Sequence, residues 1–333
     1  MQTVHLKDDD AGIAAAAEIV RRGGLVAFPT ETVYGLGANA LERAAVLRIF
    51  EAKQRPAWDP IIVHGDSVEM LRGLVREWPE KAEALARVYM PGPLTLLLPK
   101  RDVIPPECTA GRDKVGVRIP SHTAAKALIA AAGVPIAAPS ANRFGHTSPT
   151  TAAHVLADLE GRIDAVLDGG ATEVGVESTV LDVTTAVPVI YRPGGISREM
   201  IEKVIGRVEL AQRPLTDVPM ASLESPGLGI RHYAPRAKIQ LVHGREEFVA
   251  AIAAAQGSRV GAMLPSGWQG SEVTAAVSFA WGEVEDLEVL ARRLYEGLRW
   301  LDEQRVDLII CPVPRTDGVG LAIYDRLLKA SSK

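Results

Sequence analysis

Short apolar runs alternate with segments of helical periodicity along the first 200 residues, and this alternation restricts the fold more than any other feature. The runs at 25–30 and 94–99 have the length and the terminal prolines of buried strands. Residues 42–53 and 123–132 carry apolar side chains at helical spacing. Buried strands interleaved with helices predict an α/β fold on a sheet of mixed pairing.

A second, smaller alternating unit begins at residue 237 and runs to residue 333. Strand patterns such as KIQLVH and DLIICPV alternate with helical patterns at 245–255 and 284–304. This unit has the size of an ordinary αβα domain. No GxGxxG follows its first strand, so the sequence does not indicate a dinucleotide site there.

Residues 208–236 separate the two units, are rich in proline and show no period. Composition alone favours a plain linker. Ile230, His232 and Tyr233, however, are more apolar and aromatic than a solvated tether requires. We therefore predict three parts: a first domain at 1–207, a linker that acts as a lid at 208–236, and a second domain at 237–333.

The charge and cysteine content exclude several classes of protein. Lys and Arg number 37 and Asp and Glu 41, and the excess of acid is divided equally between the two halves. A strongly basic nucleic-acid coat and a polybasic membrane binder are therefore excluded. Cys108 and Cys311 match no metal spacing and fit a reducing compartment. Without an apolar run of about 18 residues or a basic leader, we expect a soluble cytoplasmic protein.

The segment FPTETVYGLG at 28–37 follows a strand and combines hydroxyl side chains with two glycines. Loops at the ends of buried strands are where α/β sheets bind ligands, although a simple polar turn would have a similar composition.

Cationic residues recur at the ends of predicted elements. Lys53 and Arg55 end a helix, where they would also serve as simple compensation of the helix dipole. His64, Arg118 and Arg192 end three strands, each close to a proline. This recurrence favours one anion-binding cleft over separate surface charges.

Two further loops supply small hydrogen-bonding groups. The loop 138–150 carries Ser140, Asn142 and Ser148, and Ser178 begins a strand. Such groups suit phosphate oxygens, and the sequence offers no thiol or Ser-His-Asp nucleophile beside them. A site of cations and hydroxyls indicates nucleotide binding and phosphoryl or nucleotidyl transfer, without the Walker A sequence of P-loop enzymes.

These motifs, in order, are PTETVYGLG, AKQRP, PIIVH, PGPLT, VGVRIP, PSAN, GHTSPT, GVESTVLD and YRPGGI. With SPGLGIRHYAP and the smaller unit after it, the chain resembles the YrdC family in its two-domain form, the threonylcarbamoyl-AMP synthases. The resemblance implies a twisted open mixed sheet in the first domain and a Rossmann-like second domain. It also implies a nucleotidyltransferase that makes threonylcarbamoyl-AMP and pyrophosphate from L-threonine, bicarbonate (or carbon dioxide) and ATP with Mg²⁺. A partner transferase complex would then modify a tRNA adenosine.

The resemblance further implies roles for individual residues. The expected catalytic pair is Lys53 and Arg55. The residues expected to hold threonine are Thr32, His64, Arg118, Ala138 and Ser178. The residues expected to hold ATP are Arg55, Asp59, Lys114, Ser140, Asn142, Ser148, Arg192 and Tyr233. The expected lid residues are Arg231, His232 and Tyr233.

Asp59 departs from the family, which commonly carries asparagine at this position. A carboxylate cannot donate a hydrogen bond to ATP, so Asp59 would either assist the metal or face away from the site.

Two other classes of function stay open at this stage. The first is a module that binds double-stranded RNA or tRNA without catalysis. The net negative charge of the chain and the lack of an aromatic stacking motif argue against it. The second is the carbamoyl-transfer domain of a maturation enzyme, which shares the core but carries zinc-finger segments that two lone cysteines exclude.

Overall fold

A computed structural model describes residues 2–211, 233–255 and 257–331 of the chain. The strands of the first unit are β1 (Val4–Lys7), β2 (Val26–Phe28), β3 (Gly35–Asn39), β4 (Val63–His64), β5 (Leu94–Pro99), β6 (Lys114–Arg118), β7 (Ile136–Ala137), β8 (Ala165–Asp168), β9 (Thr179–Asp182), β10 (Val189–Arg192) and β11 (Glu209–Leu210). Its helices are α1 (Asp10–Arg21), α2 (Arg43–Lys53), α3 (Val68–Arg72), α4 (Glu80–Tyr89), α5 (Thr123–Ala132), α6 (Ala152–Leu159) and α7 (Arg198–Ile205).

The strands of the first unit form one sheet with the order β1-β8-β2-β3-β7-β4-β6-β5-β9-β10-β11. Its pairing is mixed, because β1 and β8 are parallel whereas β2 and β3 are antiparallel. Apolar side chains of the strands and of helices such as α2 and α5 are buried against this sheet. The predicted α/β sheet of mixed pairing is therefore confirmed.

The sheet brings the predicted strand-end cations to one edge. Strands β4 and β6 are parallel, and His64 lies opposite Arg118 in the register. Strand β5 is antiparallel to β6 and parallel to β9, which is antiparallel to β10. Strand β10 therefore runs in the direction of β6, so Arg118 and Arg192 end their strands on the same side of the sheet.

The second unit is a smaller parallel α/β layer. Its strands are β12 (Lys238–Val242), β13 (Val260–Pro265), β14 (Val277–Gly282) and β15 (Leu308–Pro312), and its helices are α8 (Gly244–Ala254), α9 (Leu287–Glu303) and α10 (Gly320–Ser331). The strand order is β12-β15-β13-β14, and every pairing is parallel. The second α/β layer agrees with the predicted αβα unit.

An apolar cluster joins the two units. Val33 and Val176 of the first unit are buried in the same cluster as Leu294 and Tyr295 of α9. Close approach of the backbones is possible because Gly175, with φ +76°, has no side chain facing α9. Helices α9 and α10 therefore pack directly on the first unit, beside the loop that precedes β9.

The segment predicted as a lid lies mostly outside the described residues. Arg231 and His232 fall in that part, whereas Tyr233 is described and buried. Strand β11, inside the range predicted as linker, pairs with β10 and extends the first sheet to residue 210. Among the helices of the described residues, none has the length and apolar character needed to cross a bilayer.

Candidate active site

A cavity of about 50 Å³ lies where β4 and β6 end, and predicted residues form most of its wall. The predicted residues that line it are Thr32, Arg55, His64, Arg118, Ala138, Ser140, Ser178, Arg192 and Tyr233.

Arg118 is held on the cavity wall by a buried carboxylate. Its Nη2 lies 2.7 Å from Glu31 Oε1 and donates to Thr32 Oγ1 at 3.0 Å, while its Nε donates to the Gly92 carbonyl at 3.2 Å. The second oxygen of Glu31 accepts from the Ser121 amide at 3.0 Å. Glu31 therefore fixes both the charge balance and the orientation of the Arg118 guanidinium.

His64 lies beside Arg118 as a neutral ring. Burial first, and then the nearby charge of Arg118, lower the pKa of His64 to about 3. Its ring meets Phe28 edge-on, with 6.3 Å between the ring centroids. Among the described residues, Nδ1 of His64 has no hydrogen-bond partner. A neutral imidazole with an unoccupied nitrogen is suited to a hydrogen bond with a bound substrate.

Arg192 and Ser178 form the opposite part of the wall. Arg192 donates from Nε and Nη2 to the Ser178 carbonyl, at 3.1 and 3.0 Å, and Nη2 also donates to Ser178 Oγ at 3.1 Å. Gly194 makes this approach possible, because a Cβ there would lie 2.3 Å from backbone atoms of residues 177–179. The YRPGG motif thus folds the Arg192 strand end tightly against Ser178.

Arg55 is buried and forms an ion pair with Asp59. Its Nη2 lies 2.9 Å from Asp59 Oδ2 and donates to the Pro60 carbonyl at 2.9 Å. The two side chains are 3% and 1% exposed, respectively, which rules out a solvated helix-end charge for Arg55. The sequence left two roles open for Asp59, assisting the metal or facing away from the site. In the structure, its carboxylate instead pairs with the guanidinium of Arg55.

Lys53 lies beneath the cavity wall. Its ammonium, 1% exposed, donates to the carbonyl of Ser140 at 2.5 Å and to that of Asn142. Burial, and then the charge of Arg55, lower the pKa of Lys53. The structure thus gives Lys53 a contact with the backbone of the 140–142 loop.

Four of the predicted ATP residues do not line the cavity: Asp59, which pairs with Arg55, and Lys114, Asn142 and Ser148. Asn142 donates from Nδ2 to the His146 carbonyl at 2.7 Å and braces its own loop. Ser148 Oγ donates to Glu177 Oε1 at 2.6 Å. Lys114 begins β6, at the opposite end from Arg118, and its amine lies 2.6 Å from Asp182. Their roles toward ATP stay predictions.

Two buried carboxylates, Glu31 and Glu177, contribute to the site but were not predicted from the sequence. Glu31 and Glu177 are 3% and 6% exposed, respectively, and each bonds an arginine. The one available signal was their position inside the hydroxyl-rich PTETVY and GVEST motifs. In the described part of the chain, no group of three or more His, Cys, Asp or Glu side chains is arranged to hold a metal ion.

Comparison with known proteins identifies the family. Residues 18–194 match the family model described as "Telomere recombination", and residues 196–332 match "Threonylcarbamoyl-AMP synthase, C-terminal domain". The threonylcarbamoyl-AMP synthase of Pyrococcus abyssi is 46% identical over 327 residues, covering 96% of this chain and 94% of the relative. That of Bacillus subtilis is 45% identical over 332 residues, covering 99% and 95%.

A solved structure supports the same assignment. The crystal structure of P. abyssi Sua5 complexed with L-threonine superimposes with a TM-score of 0.92, at 45% identity, covering 99% of this chain and 98% of that one. The chain belongs to the two-domain threonylcarbamoyl-AMP synthase family. The predicted family, fold class and nucleotidyltransferase function in tRNA modification are confirmed, and nothing supports the alternative of a non-catalytic RNA-binding module.

Proposed function

We propose that the chain joins L-threonine, carbon dioxide from bicarbonate, and ATP into threonylcarbamoyl-AMP, with release of pyrophosphate. The observation that supports this most directly is the set of three buried arginines, Arg55, Arg118 and Arg192, around one cavity with hydroxyl groups and a neutral histidine. Reactants with several negative charges need such a surface to approach each other.

The threonine subsite is proposed at Arg118. Its hydrogen bonds to protein occupy Nε and Nη2, and within the described residues none occupies Nη1. We assign Nη1 to the threonine carboxylate. His64, Thr32 and Ser178 supply neutral groups for the amine and the hydroxyl, with the wall at Ala138 closing the subsite.

The ATP subsite is proposed between Arg55 and Arg192, with Ser140 and Tyr233 on the wall. Asn142, Ser148 and Lys114 would support it from outside the cavity. Mg²⁺ is proposed to arrive bound to the ATP phosphates, as part of the substrate. The three carboxylates nearest the site, Glu31, Asp59 and Glu177, are each paired with an arginine, which agrees with a metal carried by ATP.

The chemistry needs no protein nucleophile. The threonine amine attacks carbon dioxide, an N–C bond forms, and the nitrogen loses a proton to give a carbamate. A carbamate oxygen then attacks the α-phosphorus of ATP, and the bond from that phosphorus to the β-phosphate bridge breaks. Pyrophosphate leaves with the electron pair. The protein contributes position and charge, the two terms that dominate phosphoryl and nucleotidyl transfer.

The product is a mixed anhydride, which hydrolyses easily. We propose that a tRNA threonylcarbamoyl transferase complex consumes it by moving the group to an adenosine. Two buried, unpaired cysteines, Cys108 and Cys311, support a reducing compartment, and we propose the cytoplasm.

The test is pyrophosphate release by the purified chain with ATP, bicarbonate and each of the twenty amino acids. We expect release that requires threonine and bicarbonate together, and a product of the mass of threonylcarbamoyl-AMP. Serine lacks one methyl group, worth roughly 1 kcal/mol or a little more, and should react about fivefold or more slowly. Equal release without any amino acid would contradict the proposal. So would affinity for double-stranded RNA without turnover.

A further inference from the structure

A carboxylate beside the cavity is held by side chains of the second unit. Glu177 immediately precedes Ser178 and is 6% exposed. Its Oε1 accepts from Ser148 Oγ at 2.6 Å and from Tyr295 Oη at 3.1 Å. Its Oε2 accepts from Tyr295 Oη at 2.9 Å and from Arg326 Nε at 2.7 Å. Tyr295 lies on α9 and Arg326 on α10, so both come from the other unit.

Arg326 is itself fixed on both units. It is 1% exposed, and its Nη1 donates to the carbonyl of Pro193 at 3.0 Å and to Asp325 Oδ2 at 2.7 Å. Asp325 also accepts from Lys329 at 2.8 Å. Pro193 follows Arg192 and Glu177 precedes Ser178, so the same guanidinium contacts the neighbour of each member of the Ser178–Arg192 pair, at the Pro193 carbonyl and the Glu177 carboxylate.

The same side chains surround Tyr233, the cavity residue that belongs to the predicted linker. The Arg326 guanidinium carbon lies 5.3 Å from the ring centroid of Tyr233, and Lys329 Nζ lies 6.0 Å from it. The Tyr295 ring stacks on it, with 5.9 Å between centroids and 29° between planes. The backbone amide of Ala234 donates to the Gly145 carbonyl at 2.9 Å, which ties this point to the first unit.

The charge at Glu177 depends on this arrangement. Burial alone would raise the pKa of Glu177, but Arg326 and then Arg192 outweigh burial and hold it at about 2. The carboxylate is therefore ionised, with Arg326, Arg192, Tyr233 and Tyr295 as its charged or titratable neighbours. Removing one partner of a buried pair leaves an uncompensated charge, which costs far more than a surface contact.

We propose that Tyr295 and Arg326 of the second unit are positioning residues of the synthase site, acting through Glu177 on Ser148 and through the Pro193 carbonyl on Arg192, the arginine proposed to face ATP. This inference rests on the function proposed above. The second unit is then part of the machinery that shapes the ATP subsite. Threonine is expected to be affected less, because its proposed partners are also held inside the first unit: Arg118 by Glu31 and Gly92, and the Ser178 hydroxyl by Thr95 at 2.8 Å.

The test compares Arg326→Met and Tyr295→Phe in the full chain, with Arg245→Met as matched control. Arg245 also forms an ion pair in the second unit, but its partner is Glu272 of the same unit and both are exposed to solvent. Titration calorimetry would measure ATP and threonine binding separately. We expect Arg326→Met to weaken ATP about tenfold or more and Tyr295→Phe about threefold, with threonine affinity within about twofold. The control should match the wild type.

Two further measurements separate positioning from general destabilisation. In Arg326→Met the Glu177 carboxyl stays buried without its main counter-charge, so its pKa should rise and ATP binding should acquire an acid-side titration. The double variant Glu177→Gln with Arg326→Met should lose that titration and bind ATP no more weakly than Arg326→Met alone, since the uncompensated charge is gone.

The outcomes are distinguishable. Wild-type chain without threonine-dependent pyrophosphate release would overturn the proposed function. Active wild type with unchanged ATP affinity in both single variants would overturn the positioning role. Equal loss of ATP and threonine affinity, together with a lowered melting temperature and no new titration, would show that these residues serve only folding, and would overturn it as well.

Discussion

Replacing Gly175 by alanine measures how closely the second unit is docked on the first. Gly175 has φ +76°, and a Cβ there would lie 2.3 Å from the Cα of Arg292 and 2.5 Å from the carbonyl oxygen of Ala291. Ordinary contact begins near 3.4 Å, so helix α9 would have to retreat by about 1 Å. That retreat would stretch the bonds from Tyr295 to Glu177, now 2.9 and 3.1 Å, beyond hydrogen-bond range.

Two separate costs lower the free energy of unfolding of Gly175→Ala. An alanine in the left-handed region costs about 1–2 kcal/mol. Loss of hydrogen bonds to a charged group adds about 1.5–3 kcal/mol. Gly170 provides the matched control, because its φ is +83° and its missing Cβ would meet no atom within 4 Å. Gly170→Ala therefore carries the backbone strain alone.

Urea unfolding followed by tryptophan fluorescence would compare the two variants with wild type. We expect the free energy of unfolding to fall by about 1–2 kcal/mol in Gly170→Ala and by at least 1.5 kcal/mol more in Gly175→Ala. ATP affinity should fall only in Gly175→Ala. Equal destabilisation of both variants, with ATP binding intact, would refute the idea that backbone contact at Gly175 sets the docking distance.

Other predictions concern the cavity wall. Arg55→Ala should abolish most pyrophosphate release and also lower the free energy of unfolding by about 3–5 kcal/mol, since Asp59 loses its guanidinium partner. Arg55→Ala with Asp59→Asn should recover stability in urea unfolding without recovering activity, and recovery of both would remove Arg55 from the chemistry. The pKa of His64 is lowered, so between about pH 3 and 6.5 the unfolded chain binds more protons and stability rises with pH. His64→Asn should reduce that slope by about one proton, while His154, with a pKa of about 4, keeps its own share; an unchanged slope would show that His64 is not buried as a neutral ring.

Elements with long, unambiguous patterns could be predicted from the sequence almost to the residue. Helix α5 occupies Thr123–Ala132 and strand β5 occupies Leu94–Pro99, as predicted. Periodic apolar spacing and clear stop signals carry enough local information for such elements. Pro79 likewise lies directly before helix α4, where proline is compatible with the start of a helix but not with its interior.

The sequence pattern predicts a loop at the start of strand β3, and this difference from the structure has a physical reason. It contains Gly35 and Gly37, and glycine is a weak strand former. The structure shows why glycine is needed: a Cβ at Gly37 would lie 2.7 Å from side-chain atoms of both Phe28 and Ile136. Packing across three strands therefore overrides local propensity, and a single sequence does not contain that information in readable form.

The cationic half of the site could be predicted, whereas the carboxylates that hold it could not. Arg118 and Arg192 are charged residues at the ends of apolar strands, and His64 is a polar ring at the same position in its strand, although the structure makes it neutral rather than cationic. A glutamate is usually exposed to solvent. The residues around Glu31 do not indicate its pairing with Arg118, 87 positions away. Those around Glu177 do not indicate its pairing with Arg326, 149 positions away.

The contact between Glu177 and Arg326 bears on why the two units form one functional body. A buried carboxylate at the cavity edge is costly unless a cation faces it. Arg192 is one such cation for Glu177, but its guanidinium is also engaged by the carbonyl of Ser178. Arg326 supplies the second cation from α10, and Val33 and Val176 bury their apolar surface in the same interface. Charge compensation and apolar burial thus favour the same docked arrangement. Any separation of the second unit from the first would break the Glu177–Arg326 contact, so the docking of the second unit and the charge balance at the cavity edge are energetically coupled.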